Sequence, residues 1–334
     1  MAHLLLQATS PRSGQRLEAL DELKGIAIIL VVLYHAGGVL TWNNHLRGDL
    51  GVDMFVILSG LGLSLSPSYP GTKAFLKRRL LRIFPVYWLV LTAYLLLNTH
   101  FLQLDYTPAN IVLHYLGIHG WFGDQYAMTI NDSFWFITLI VSLYLIHAFI
   151  QRFAGASDRM LLVGAVVSVA AAFAWYFTGQ SGSFGHLGLR LPGFFLGLLV
   201  GRLLLIGRLE LTFSTSLLLA ILLFSYVPYT QGVVFHTVAV AAGLMLVYTF
   251  GLHPQLVSET GSRLRRGLRF LGDHSLEIFL LHQPLIREYN VYLHGRWLND
   301  INPSRFSLTV GMLIAITVTL ILSVELRRLQ QRFL

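Results

Sequence analysis

Ten apolar stretches divide this chain, at about 23–41, 49–66, 83–100, 133–151, 160–178, 186–206, 212–228, 232–252, 269–289 and 306–325. Roughly 17 to 25 apolar residues are what a helix needs to cross a bilayer core. Inside lipid a helix satisfies its own backbone hydrogen bonds. The chain is therefore expected to be all-α, a polytopic transmembrane helical bundle of about ten spans. Composition agrees: charged residues make up 12% of the 334 positions, against about a quarter in ordinary globular chains. The piece Ala109–Trp121 is shorter and interrupted by His114, Gly117, His119 and Gly120, so it reads as interfacial or re-entrant. With no internal repeat and no appended soluble domain evident, residues 1–334 read as a single integral-membrane domain.

The basic residues orient the bundle. Of the 24 Lys and Arg, all but Arg47, Arg190, Arg287, Arg296 and Arg305 fall in the N-terminus, the tail and alternate connections. Both termini are accordingly expected to be cytoplasmic. The net charge of +8 is spread between apolar stretches rather than pooled, which argues against nucleic acid. Cysteine is absent, excluding a disulfide scaffold, a thiolate metal site and a cysteine nucleophile. Arg12 and Arg16 before an apolar run, with Ala36-Gly37-Gly38 after it, imitate a signal peptide. The polar residues inside that run argue that it is retained.

Ionisable groups within hydrocarbon are costly and face a cavity or a partner. His35 lies eleven residues beyond Lys24, about 16 Å along a helix axis, and Asp53 is only about 6 Å inside the second helix. His282 stands some thirteen residues into the ninth stretch, about 20 Å. Pro284 follows it and should free a backbone carbonyl. Each has a plainer reading: Lys24 can snorkel to the interface, and a histidine can serve as an interhelical hydrogen bonder. Asp53 can pair with Arg47, and Pro284 can simply kink the helix. Together at similar depth, His35, Asp53 and His282 favour a polar cavity.

The densest basic run is Lys73–Arg82, with Lys77, Arg78, Arg79 and Arg82 at its core. Guanidinium pairs one turn apart suit phosphate, while anionic inner-leaflet lipid would attract the same cluster. Two acyltransferase-like strings, His45–Asp49 (HxxxD) and His119–Asp124 (HxxxxD), occur at chance frequency and lie in exterior loops. Neither has the soluble α/β core such motifs require. No paired-histidine metal spacing occurs, so no metal is expected. Ser59-Gly60 fits tight helix packing, and the serine hydroxyl could also donate to a ligand.

Four stretches resemble the acyltransferase-3 family of membrane acyl-CoA-dependent acyltransferases. These are Arg16–Gly25 followed by Tyr34-His35, Gly51–Gly60 (GVDMFVILSG), Phe75–Tyr87 (FLKRRLLRIFPVY) and His274–Pro284 (HSLEIFLLHQP). The resemblance runs over roughly 16–325. One departure is Lys24, where many members carry Arg, which weakens any bidentate phosphate role there.

The resemblance implies a multi-pass enzyme of the bacterial cytoplasmic (inner) membrane. It would move an acyl group, most simply acetyl, from cytoplasmic acyl-CoA to a hydroxyl of a cell-envelope or exported polysaccharide or glycolipid. It implies His35 as the base, and Lys24, Arg78, Arg79 and Arg82 as donor-binding residues, with Ser59 beside them. Asp53 and His282 occupy motif positions and are taken as catalytic. Glycan or lipid-linked glycan and membrane lipids are the expected partners, and a homodimer is left open.

Acyl transfer from a thioester needs a deprotonated nucleophile and donors for the developing oxyanion. His35 could serve as base, Asp53 or a carbonyl as orienter, and His282, Ser59 or Tyr34 as oxyanion donor. The rival class is a transporter or exporter with a His35–Asp53 proton relay. Against it stand the absence of duplicated halves and the cluster at 73–82, which has no task in a simple carrier.

Overall fold

The computed structural model describes residues 18–39, 48–66, 69–154, 157–177, 183–205, 234–246, 248, 259–290, 292–293 and 304–332. Among these the chain is all-helical. In order come α1 (Glu18–Val39), α2 (Asp49–Ser64), α3 (Thr72–Leu97), α4 (Pro108–Tyr115), α5 (Trp135–Ala154), α6 (Asp158–Phe177), α7 (Ser183–Leu205), α8 (Val234–Leu246), α9 (Glu259–Asp273), α10 (Ser275–Pro284) and α11 (Arg305–Gln330).

Among the described residues, four helical stretches are long and apolar enough to cross a membrane: Glu18–Val39, Thr72–Phe101, Asp132–Phe153 and Arg305–Gln330. Leu50–Ser64 and Arg159–Ala172 are shorter apolar helices. The stretch expected at 212–228, and parts of that at 232–252, lie outside the described residues. The piece after residue 108 is two turns of helix ending at Tyr115, then a 3-10 turn His119–Phe122. That is too short to span.

Two contacts explain the packing at the centre. Gly60 of α2 and Gly197 of α7 face each other's helix so closely that a Cβ on Gly60 would run into the Phe194 carbonyl, and one on Gly197 into that of Ile57. Lipid offers no hydrophobic drive between helices, so close backbone approach at small residues supplies the van der Waals energy instead. Gly25 and Gly272 do the same between α1 and α9, against the carbonyls of Leu268 and Asp21.

The ninth stretch requires a correction. The apolar run does not begin as one helix at Arg269. Instead α9 is a polar, amphipathic helix that ends at Asp273, and the chain breaks at His274 (φ −97°, ψ 11°) before α10. Arg265 and Arg269, one turn apart, meet Glu18 and Glu22, also one turn apart on α1. Arg265 Nε lies 3.0 Å from Glu22 and an Arg269 terminal nitrogen 2.7 Å from Glu18. Tyr248 Oη donates to Glu22 at 2.7 Å. This charged seam ties α9 to the start of α1.

Candidate functional site

The two expected histidines meet. The rings of His35 on α1 and His282 on α10 lie 5.0 Å apart between centroids, tilted by 59°. Tyr34 sets its ring edge-on to His35 at 5.1 Å. His282 is fully buried, whereas His35 is partly exposed.

The backbone around His282 decides its chemistry. Its Nδ1 lies 2.9 Å from the Phe279 carbonyl and 3.1 Å from that of Ile278. Both are acceptors, so Nδ1 carries the proton and Nε2 carries the lone pair. Among the described residues Nε2 has no hydrogen-bond partner. The oxyanion-donor role expected of His282 therefore fails: its single N–H is already spent on backbone carbonyls. What remains is an acceptor beside His35.

Pro284 accounts for the local scaffold. Lacking an N–H, it cannot bond the carbonyl four residues back. That carbonyl, of Leu280, accepts instead from Asn131 Nδ2 at 3.2 Å. The N–H of Leu285 turns to His282, and the Leu281 carbonyl accepts from Tyr94 Oη at 2.7 Å. Ser133 Oγ donates to Gln283 Oε1. The kink expected from the sequence thus becomes a set of side-chain bonds that hold α10 against α3 and the turn before α5. Tyr94, Asn131 and Gln283 were missed by sequence reasoning. The rule that flagged His282, a polar residue in an apolar helix, applied equally to Gln283.

Asp53 sits elsewhere in the polar interior. Its carboxylate pairs with Arg190 of α7 at 3.3 Å, both side chains buried, and the Arg190 guanidinium lies 5.0 Å over the Trp135 ring. Arg190 is thus drawn inside rather than left in an exterior loop, and Asp53 joins α2 to α7. Ser59 is half-buried on α2 beside the close-packed Gly60.

The basic candidates lie away from the histidines. Lys24 pairs with Asp21 at 3.1 Å. Arg78 and Arg82 are exposed, and Arg79 lies over the rings of Phe75 and Tyr144 at 5.6 and 5.5 Å. Two rulers give their separation. Lys24 to His35 is about 16 Å along α1, and Arg82 to Tyr94 is about 18 Å along α3. Tyr94 touches the Leu281 carbonyl, one residue from His282. The basic residues and the imidazoles therefore mark two levels of the same bundle.

The HxxxxD string is not a site. His119 is buried and stacked on His114 at 3.9 Å with an interplanar angle of 5°, while Asp124 is exposed. These two histidines lie between the spans. Burial lowers His114 to about 4, and burial with the neighbouring imidazole lowers His119 to about 3. Neither carries charge at neutral pH. No group of three or more potential metal ligands occurs among the described residues.

A candidate membrane-bound transacylase, BcsY, of Komagataeibacter xylinus is 32% identical over 203 residues, covering 55% of this chain and 50% of that protein. A candidate acetyltransferase, ORF330, of Acidianus two-tailed virus is 27% identical over 150 residues, 44% of each chain. The chain thus spans about half the length of the curated relatives it matches. No solved structure matches it. The model for the acyltransferase domain covers residues 17–324, nearly the whole chain: this is a member of the acyltransferase-3 family.

Proposed function

We propose that the chain transfers an acyl group, most simply acetyl, from acyl-CoA to a hydroxyl of a polysaccharide or glycolipid of the cell envelope. The observation that carries the reading is the imidazole pair: a partly exposed His35 beside a buried His282 whose only proton is committed to backbone. In this reading His35 takes the proton of the acceptor hydroxyl. The oxygen attacks the thioester carbonyl, the tetrahedral intermediate collapses, and the CoA sulfur leaves with the proton held by His35. No covalent enzyme intermediate is required. In the reacting complex a small rotation of His35 would bring its far N–H to the unpartnered His282 Nε2, fixing its tautomer and stabilising the imidazolium in a base-plus-orienter arrangement. Asp53, engaged with Arg190, holds α2 in place rather than orienting the base. Tyr34, edge-on to His35, remains the oxyanion donor, whereas Gly51 packs on Ala27 and so sets Ser59 about 24 Å from His35 along the antiparallel helices, at the basic end.

Lys24, Arg78, Arg79 and Arg82 suit the phosphates of the donor, with the pantetheine arm covering the depth to His35. That basic end would face the cytoplasm of a bacterial inner membrane. The test is transfer of label from acetyl-CoA to isolated envelope glycan by the purified protein. Label should move covalently, and His35→Ala, stably inserted, should abolish transfer. Solute movement without covalent change, or a fully active His35→Ala protein, overturns the reading.

A further inference from the structure

Glu277 has no task in the chemistry above, yet it is completely buried on the same helix as His282. Its ion-pair partner comes from the last helix: the Arg327 guanidinium lies 3.5 Å away. Arg327 also donates to Gln330 Oε1 at 2.7 Å. Gln330 is itself buried, and its Nε2 donates to the backbone carbonyl of Arg82. One amide used at both ends thus sets the position of Arg327 relative to the residue that closes the basic run of α3.

Topology alone does not explain this. A tail arginine that only fixes orientation stays among headgroups, as Arg328 does with its side chain 67% exposed against Glu325. Arg327 is 17% exposed, and desolvating a guanidinium beside a single carboxylate is expensive. A guanidinium has five N–H donors. At 3.5 Å the contact with Glu277 is longer than a charge-assisted hydrogen bond, so donors are left over at a partly open edge.

We propose that Arg327 is a further phosphate-binding residue of the acyl-donor site, acting with Arg82 on the nucleotide end of an acyl-CoA thioester, and that Glu277 and Gln330 are positioning residues that hold it there. The ligand class rests on the acyl-CoA reading above.

The test compares binding of CoA and of pantetheine, which lacks the phosphates, by calorimetry on the full chain in detergent. Wild type should bind CoA more tightly than pantetheine. Arg327→Gln should weaken CoA about tenfold, the size of one charge-assisted contact, and leave pantetheine unmoved. Because that variant strands the Glu277 charge, Glu277→Gln with Arg327→Gln removes both, and it should fold and still bind CoA about tenfold more weakly. Gln330→Leu, which keeps the guanidinium but releases it, should weaken CoA several-fold with pantetheine again unchanged. CoA affinity restored in the double variant, or unaltered in Arg327→Gln, overturns the proposal. Wild type that shows this binding pattern but transfers no acyl group supports the phosphate site and defeats the reaction assigned above. Transfer from acyl-CoA with Arg327→Gln unimpaired does the reverse.

Discussion

The sharpest consequence of the His282 environment is that its two ring nitrogens can be removed separately. Asparagine at this position places its amide near Nδ1, keeping a donor for the Phe279 and Ile278 carbonyls but leaving no acceptor where Nε2 stands. Glutamine reaches one bond further and offers Oε1 near the Nε2 position. With ring centres 5.0 Å apart, a small rotation of His35 brings its far N–H onto that acceptor, and catalytic bonds commonly tighten only in the reacting complex. Once His35 has taken the substrate proton, the bond is charge-assisted, worth about 1.5–3 kcal/mol. At about 1.4 kcal/mol per decade of rate, His282→Asn should lower kcat about 10- to 100-fold. His282→Gln should recover most of the loss, and KM for the donor should stay within about twofold, since the basic end is untouched. Steady-state transfer of labelled acetyl groups by both variants, each verified as monodisperse in detergent, measures this. An asparagine variant as fast as the glutamine one would show that Nε2 does not orient His35.

Two further outcomes follow from buried polar contacts. Asp53→Asn removes the carboxylate facing Arg190, and breaking one side of a buried pair costs about 3–5 kcal/mol. Thermal unfolding in detergent should register the loss, and adding Arg190→Met should return most of it; a single variant as stable as wild type refutes the structural role. Asn131→Ala should cost about 1–3 kcal/mol by stranding the Leu280 carbonyl. In a Pro284→Ala background part of that cost should vanish, because the restored N–H can reach the same carbonyl. A double-mutant cycle with no coupling would mean Pro284 does not create the need for Asn131.

Much of this architecture is written in local patterns, and the exceptions are instructive. Four of the ten expected spans are legible as helices long and apolar enough to cross a membrane among the described residues, because length and apolarity alone satisfy lipid. The Leu280 carbonyl that Pro284 frees is legible because proline removes one specific bond. His35 and His282 could be placed in the same half of the bundle from helical rise, and their rings do meet. What failed is pairing across long separations. Asp53 was matched with the nearby Arg47 or with His35, but its charge goes to Arg190, more than a hundred residues later. No local spacing announces that choice, because it depends on the glycines that draw α7 onto α2.

The break at His274 was hidden for a different reason. A window counted from Arg269 is apolar on average, and averaging erases the change from a one-sided helix to a buried one. Arg265 and Arg269 repeat at the same four-residue interval as Glu18 and Glu22, so that once the two helices meet both pairs engage together. The Glu277–Arg327–Gln330 chain has the same character. Each member alone resembles an ordinary polar residue near a helix end. Only their convergence on the Arg82 backbone separates Arg327 from its neighbour Arg328, a tail cation left exposed against Glu325.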